Sequence, residues 1–460
     1  MSSGSAGFTP QALRRSLEPY LGRRLWIAYS GGLDSSVLLQ AASVCFGPRS
    51  CTTGAPTHPS TEQSAVDARP PPQLRAIHVD HGLNPESARW AEHCRGQAAR
   101  LGVPLTERSL QLRRQKGESL EAVARSARYA AFADLLAPGD VLATGQHRDD
   151  QAETLLLALL RGSGLHGLAA MPVSAKLGAG LLLRPLLGFS QAELLNYAKR
   201  EGIEWVDDPS NADLDLDRNL LRQSVIPLLR RRWPSLDRTL ARSAGHCAEA
   251  AGLLDRTADT GLAQLAGQRP GTLSVKGLRA LSPAESRLIL RRWLMRDGFR
   301  PPARAVLQRI IGEVLSAASD RSPLVTWSGC EVRRYRDDLY ALAPLPDRLQ
   351  RRTLAWDGGA PLTLPAGLGT LRLPPGALNV GALTVCFEGS GLACRRSDGR
   401  GQSLKTLYQQ TGVPAWVRPY VPLLMRGDEL VAVAGVRHCD DRLSDLRWSG
   451  HPWERYGLFR

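Results

Sequence analysis

Two rhythms of apolar residues alternate along the first part of the chain. Short apolar runs at 25–29, 74–79, 103–107 and 141–144 predict strands. Between and after them, helical spacing predicts helices at 36–42, 87–101, 120–136 and 151–160. The second of these is marked by Trp90, Cys94, Ala98 and Leu101. Strands that alternate with helices predict an α/β fold, a doubly wound parallel sheet covered on both faces. In such sheets ligands sit at the carboxyl ends of the strands, where 30–35 and 144–150 both fall. The stretch 46–72 is rich in Pro, Ser and Thr without periodicity and reads as a long surface loop.

From 217 to 343 the pattern turns mainly helical and basic, with Arg218, Arg222, Arg230, Arg231 and Arg232 near its start and Arg287, Arg291, Arg292, Arg296 and Arg300 further on. Arginines that merely solvate helix faces give the same pattern. A Pro/Gly-rich stretch, 344–375, precedes strand-like runs at 383–388 and 429–436, with a helix at 403–411 between them. The expected organisation is therefore an α/β domain at 1–216, a helical domain at 217–343 and a small α+β domain at 344–460.

Composition sharpens this picture in three ways. The hydrophobic fraction of 43% with 22% charged residues suits globular domains, and 460 residues suffice for two to four of them. No run of about 18 apolar residues and no basic N-terminus followed by an apolar core is present, so a cytoplasmic protein outside the membrane is expected. Eight cysteines, at 45, 51, 94, 247, 330, 386, 394 and 439, contain no CxxC pair and read as reduced thiols, with neither a zinc site nor a disulfide framework. Lys plus Arg number 59 against 44 Asp plus Glu, a net charge of +15 that favours a polyanionic partner. Only five of the cations are lysines. A bias of arginine over lysine explains that preference better than it explains the excess itself.

The chemistry starts at Ser30-Gly31-Gly32-Leu33-Asp34-Ser35, which follows an apolar strand and opens a helix. There, backbone N–H groups and the helix dipole bind phosphate together, and two glycines let the backbone approach its oxygens. Ser30, Ser35 and Ser36 add hydroxyls. Asp34 is out of place beside phosphate unless a Mg2+ ion lies between them or it orients the loop. No Gly-Lys-Ser/Thr follows, so this is not a Walker loop. The string resembles the PP-loop of the ATP pyrophosphatases, which split ATP into AMP and pyrophosphate while adenylating a substrate.

Further strings resemble one branch of that superfamily, tRNA(Ile)-lysidine synthetase. They are Ile77-His78-Val79-Asp80-His81-Gly82-Leu83, Ala124-Arg125-Ser126-Ala127-Arg128-Tyr129, and Gly145-Gln146-His147-Arg148-Asp149-Asp150-Gln151-Ala152-Glu153-Thr154. Arg161-Gly162-Ser163-Gly164, Arg184-Pro185-Leu186-Leu187, and Asp207-Asp208-Pro209-Ser210-Asn211 leading to Arg218-Asn219 and Arg222 complete the set. The likeness is strong over about 20–235 and looser to Gly412-Val413-Pro414-Ala415-Trp416.

What this resemblance implies is specific. ATP with Mg2+ adenylates the C2 oxygen of the wobble cytidine in an isoleucine tRNA with a CAU anticodon, and the ε-amine of free L-lysine then displaces AMP. The PP-loop with Ile77, His78 and Arg128 would hold ATP, and Asp34 the metal ion. Asp34, His147, Asp150 and Glu153 would serve catalysis. Arg125, Asp149, Arg184, Asp208, Asn211, Arg218 and Arg222 would bind substrate, and Arg230, Arg231 and Arg232 the tRNA. A homodimer stays open.

These residues also have a reading of their own. One imidazole and three carboxylates gathered at a strand end are costly unless a metal or a cationic substrate compensates them. The ammonium of lysine must bind and then lose a proton before attack, and acidic neighbours suit both tasks. Asp149 or Asp150 as caps of the helix starting near Gln151 would look the same, and the two readings are compatible. Arg125 and Arg128, three apart, share a helix face suited to phosphate. A tRNA sulfur transferase would need cysteine pairs that are missing, and a glutamine-dependent synthetase an N-terminal cysteine nucleophile. A non-catalytic tRNA-binding protein would have no use for Asp34, His147, Asp149, Asp150 and Glu153 together.

Overall fold

The computed structural model describes residues 7–47, 73–82, 86–110, 112, 120–207, 213, 215–318, 321–347, 349, 352–374, 380–389, 391–395 and 401–459. Most of the proline-rich 46–72 stretch, together with Cys51, Asp208 and Asn211, lies outside these residues. The chain forms two compact units, the first ending at Gly252 and the second beginning at Leu253.

The first unit opens with α1 (Pro10–Leu17), β1 (Arg24–Ala28) and α2 (Leu33–Phe46), then β2 (Gln73–Asp80), α3 (Ser87–Arg100) and β3 (Leu105–Ser109). It continues through α4 (Leu120–Leu135), β4 (Val141–Ala143), α5 (Arg148–Leu160) and α6 (Leu165–Leu168) to β5 (Ser174–Leu177), β6 (Gly180–Leu183) and α7 (Gln191–Arg200). All four predicted strands are present within two residues of their expected ends. The sheet order is β3-β2-β1-β4-β6-β5, parallel throughout except for the edge strand β5, which pairs antiparallel with β6.

Strand alternation puts Leu25 and Ile27 in one core with Val37, Leu38 and Leu194, and Trp26 in another with Ile77, Leu142 and Phe132. Both faces of the sheet are thus covered, and α2, whose residues are apolar on almost every side, is buried along most of its length. β1 pairs with β2 on one side and β4 on the other, so the direction of winding reverses there. The crevice of a doubly wound sheet opens at this reversal.

Three further segments complete the first unit: α8 (Asp217–Leu220), a π-helical turn at Leu221–Val225, and α9 (Ile226–Arg232). α10 (Leu236–Gln264) follows, and the division between the units falls within it.

In the second unit, β7 (Leu273–Ser274), α11 (Val275–Arg279), α12 (Pro283–Arg296) and α13 (Arg304–Arg309) are followed by β8 (Leu324–Trp327), β9 (Cys330–Tyr335) and β10 (Asp338–Leu342). The expected mainly helical character of 217–343 is present, but the region also holds strands that the sequence reading lacked. Four of its segments form an antiparallel sheet, β7-β10-β9-β8. Two features hid it: β10 is buried at every position and so shows no alternation, and β9 carries arginines that read as helix surface.

The remainder holds β11 (Thr353–Trp356), β12 (Leu362–Thr363), β13 (Thr370–Arg372), β14 (Leu383–Cys386), β15 (Ala393–Arg395) and β16 (Gly401–Ser403). Then come α14 (Leu404–Thr411), β17 (Leu423–Arg426), β18 (Glu429–Val433), β19 (Arg437–His438) and β20 (Arg447–Ser449). They build sheets β11-β14-β17-β18-β19, β12-β13-β20 and β15-β16, which with α14 make the expected α+β region. Cys394 and Cys439 are joined in a disulfide, which corrects the reading of all cysteines as reduced thiols. Their separation of 45 residues gave no sequence signal. Among the described residues no helix is long and apolar enough to cross a membrane.

Candidate active site

The loop after β1 is built by backbone contacts. Tyr29 N–H donates to the Ile77 carbonyl at 2.8 Å, and Val206 N–H donates to the Gly31 carbonyl at 2.9 Å. Gly31 has φ +84°, and a Cβ there would lie 3.0 Å from the buried Cys94 Sγ, so the position needs glycine twice over. Ser35 Oγ donates to the Gly32 carbonyl at 3.0 Å and accepts from Ser30 N–H at 3.2 Å. Gly32 is the N-cap of α2 and offers no side chain to its first turn. The first-turn N–H groups of this 14-residue helix therefore meet the crevice without a capping side-chain oxygen, which is the condition for binding an anion. Gly145 closes the opposite wall: a Cβ on it would stand 3.1 Å from both the Asp34 carbonyl carbon and the Ser35 nitrogen.

α5 carries the acidic wall. It begins at Arg148, with His147 as N-cap, rather than near Gln151. Asp150 Oδ2 accepts His147 N–H at 3.0 Å, so the capping role read from the sequence is present, at the third helical position. His147, 1% exposed, has Asp34 and Asp150 at 3.5 Å from Nε2 and Asp149 at 3.6 Å from Nδ1. Burial by itself would lower its pKa, but the carboxylates of Asp149, Asp34 and Asp150 override this and hold it up at about 10. Asp149 is held well below the usual carboxylate range: burial opposes this, and His147, the Gln191 N–H and Arg230 outweigh it.

Three arginines from the α8–α9 segment complete the cluster. Glu153 Oε1 accepts from Arg222 Nε at 2.6 Å, and Glu153 Oε2 from Arg218 Nε at 2.7 Å. Asp150 Oδ1 accepts from Arg218 at 3.1 Å and Arg222 at 2.9 Å, and Asp149 Oδ1 accepts from Arg230. Four carboxylates (Asp34, Asp149, Asp150, Glu153) thus face four cations (His147, Arg218, Arg222, Arg230). The like charge that seemed to demand a metal or cationic substrate is balanced by the chain itself.

The other predicted residues are placed as follows. His78 is buried with Nδ1 3.0 Å from the Tyr29 carbonyl, and the Ile77 side chain lies in the core. Arg128 donates from Nε to His81 Nε2 at 2.9 Å, while Arg125 lies over the Tyr129 ring at 5.1 Å. Burial, with Arg128 next in effect, lowers the His81 pKa to about 4, which keeps the ring neutral as an acceptor. Arg184 is buried and donates to the Pro172 carbonyl at 2.8 Å. Arg231 and Arg232 are exposed, unlike Arg230, and Arg232 lies over Trp233.

Two participants had no sequence signal. Val206 is recognised only by its backbone bond to Gly31. Arg148, part of the Gly145–Thr154 string but without a role in the sequence reading, donates to Asp237 at 2.6 Å, Glu193 at 3.0 Å and the Gly188 carbonyl at 2.7 Å.

Among the described residues no group of three or more His, Cys, Asp and Glu side chains is arranged to hold a metal ion. One oxygen stands apart. Asp34 Oδ1 is buried without a hydrogen-bond partner, at the mouth of the phosphate-binding loop. A single carboxylate oxygen fits Mg2+, which takes its other ligands from phosphates and water.

An uncapped helix after a glycine turn at the winding reversal, facing a charge-balanced acidic wall, defines a nucleotide-phosphate site of the PP-loop class. The family model described as PP-loop domain matches residues 9–229. Those described as TilS substrate binding domain and TilS substrate C-terminal domain match 273–340 and 383–449. Three relatives, each called tRNA(Ile)-lysidine synthase, align along nearly the whole chain. That of Methylococcus capsulatus is 43% identical, covering 92% of this chain and 93% of its own. Those of Alkalilimnicola ehrlichii and Coxiella burnetii are 42% and 39% identical, covering 89% and 94% of this chain and 89% and 93% of their own. The chain belongs to the tRNA(Ile)-lysidine synthase family and is an ATP-dependent ligase.

Proposed function

We propose that this ligase joins free L-lysine to C2 of the wobble cytidine in isoleucine tRNA with a CAU anticodon, in the cytoplasm. The observation that carries the reading is the uncapped start of α2 at Gly32, set against Asp34 and His147 at 3.5 Å. In the first step the cytosine O2 bonds to the α-phosphorus of ATP and pyrophosphate leaves. In the second, the ε-nitrogen of lysine bonds to C2, the C2–O bond breaks, AMP departs with that oxygen, and the amine gives up a proton. Without the first step the oxygen would be a poor leaving group.

The α2 N-terminus, Ser30 and Ser35 would hold the departing pyrophosphate, with Ile77, His78 and Arg128 on the nucleotide side. Asp34 Oδ1 would hold Mg2+, which would neutralise phosphate charge. Asp34, His147, Asp150 and Glu153 would order the reacting groups. Arg125, Asp149, Arg184, Asp208, Asn211, Arg218 and Arg222 would line the substrate side. An anticodon base is cheap to unstack from its single-stranded loop. We assign the basic residues of 217–343, exposed Arg231 and Arg232 among them, and the 344–460 region to holding the tRNA body.

The test supplies ATP-Mg2+, labelled lysine and isoleucine tRNA of CAU anticodon, with methionine tRNA as control. Label in the isoleucine tRNA alone is expected; label in neither tRNA would reject the reading.

A further inference from the structure

Glu153 and Asp150 already have partners. The Glu153 side chain is 2% exposed, and three charge-assisted bonds reach it from two guanidiniums: 2.6 Å from Arg222 Nε, 2.7 Å from Arg218 Nε and 3.0 Å from Arg222 Nη2. Asp150 Oδ1 receives both arginines, and its Oδ2 receives the His147 amide. A lysine ammonium seeking Glu153 would have to expel two forked guanidiniums from a nearly water-free position and replace them with one compact ion of three donors. Removing the partners of a buried carboxylate is strongly unfavourable.

The outward side of the same pair is open. The side chains of Arg218 and Arg222 are 26% and 33% exposed, and the bonds that tie them to Asp150 and Glu153 run from Nε and Nη2. They stand four positions apart, across the junction of α8 with its π-helical turn, and share one carboxylate pair. That holds two guanidiniums on one carboxylate pair with part of each left to solvent, and guanidinium N–H groups suit the oxygens of a tetrahedral oxyanion.

We propose that Asp150 and Glu153 are positioning residues rather than receptors of the lysine ammonium, and that they hold Arg218 and Arg222 as a clamp for a phosphate oxyanion of the substrates. This rests on the lysidine-forming reading above. The phosphate belongs either to the RNA backbone beside the reacting base or to the α-position of ATP.

The experiment separates the half-reactions in Glu153→Gln and Arg222→Lys variants. Pyrophosphate release that depends on tRNA but not on lysine reports adenylation, and lysine incorporation reports the whole reaction. In both variants adenylation is expected to slow about a hundredfold, while the KM for lysine stays unchanged. A raised lysine KM with normal adenylation in Glu153→Gln would place the ammonium on Glu153 and overturn the proposal. Normal adenylation in both variants overturns it too.

Arg222→Lys keeps a cation beside the buried carboxylate, so it remains informative if Glu153→Gln does not fold, and retained ATP binding certifies either protein. A raised KM for ATP alone assigns the clamp to the α-phosphate; weakened tRNA binding without ATP assigns it to the RNA. Wild-type enzyme that releases pyrophosphate but incorporates no lysine refutes the parent reading, not the clamp.

Discussion

His147 sits among three carboxylates with no hydrogen bond from either ring nitrogen, so its contribution is charge rather than directed bonding. With a pKa of about 10 it is a fixed cation at neutral pH. Its folded pKa lies above the unfolded value of about 6.5, so the stabilisation is complete below that value and is lost as pH rises through about 10. The melting temperature of wild type should therefore exceed that of His147→Gln most in mildly acid buffer, and the gap should narrow towards pH 10 or so. A gap that widens with pH would contradict the assignment. Gly31 gives a second residue-scale expectation. Alanine there would suffer the left-handed backbone, costing about 1–2 kcal/mol, and would press on Cys94. Urea unfolding reads the loss, and ATP affinity should fall with it because the loop must shift.

The start of α5 ties the site together, since neighbouring residues reach different elements. Asp149 accepts the Gln191 amide of α7 at 2.8 Å and meets Arg230 of α9; Arg148 meets Glu193 of α7 and Asp237 of α10. Arg148→Ala would strand two partly buried carboxylates and should lower stability by about 3–5 kcal/mol, seen as a lower urea midpoint at unchanged slope. α9 divides its three arginines by direction. Replacing exposed Arg231 and Arg232 by Glu should weaken tRNA binding and spare ATP binding, whereas Arg230→Glu should also slow turnover by repelling Asp149. Equal effects of all three in tRNA binding and turnover assays would refute this division. The helical, basic character of the region was legible from sequence, but which arginine turned inward was not, because three adjacent cations look alike until their neighbours are placed.

Across the whole molecule the excess of +15 charges implies salt-sensitive association with RNA. If about 6–10 phosphates are contacted, affinity should fall roughly 10³–10⁵-fold between about 50 and 200 mM salt. A nearly flat salt dependence would exclude the basic surface as the holding element. At this scale the sequence by itself determined the parallel sheet, the phosphate loop and the identity of the acidic cluster, because these depend on local periodicity and on short strings whose chemistry is contiguous. It did not reveal the β7-β10-β9-β8 sheet, where complete burial erased alternation and arginines disguised a strand. Nor did it reveal the Cys394–Cys439 bond, Val206 beneath the loop, or Arg148 as a junction. The charge balance was decided only by tertiary structure. Asp150 and Glu153 precede Arg218 and Arg222 by more than sixty residues, and whether a carboxylate awaits a ligand or is already paired depends on what the fold brings within 3 Å of it.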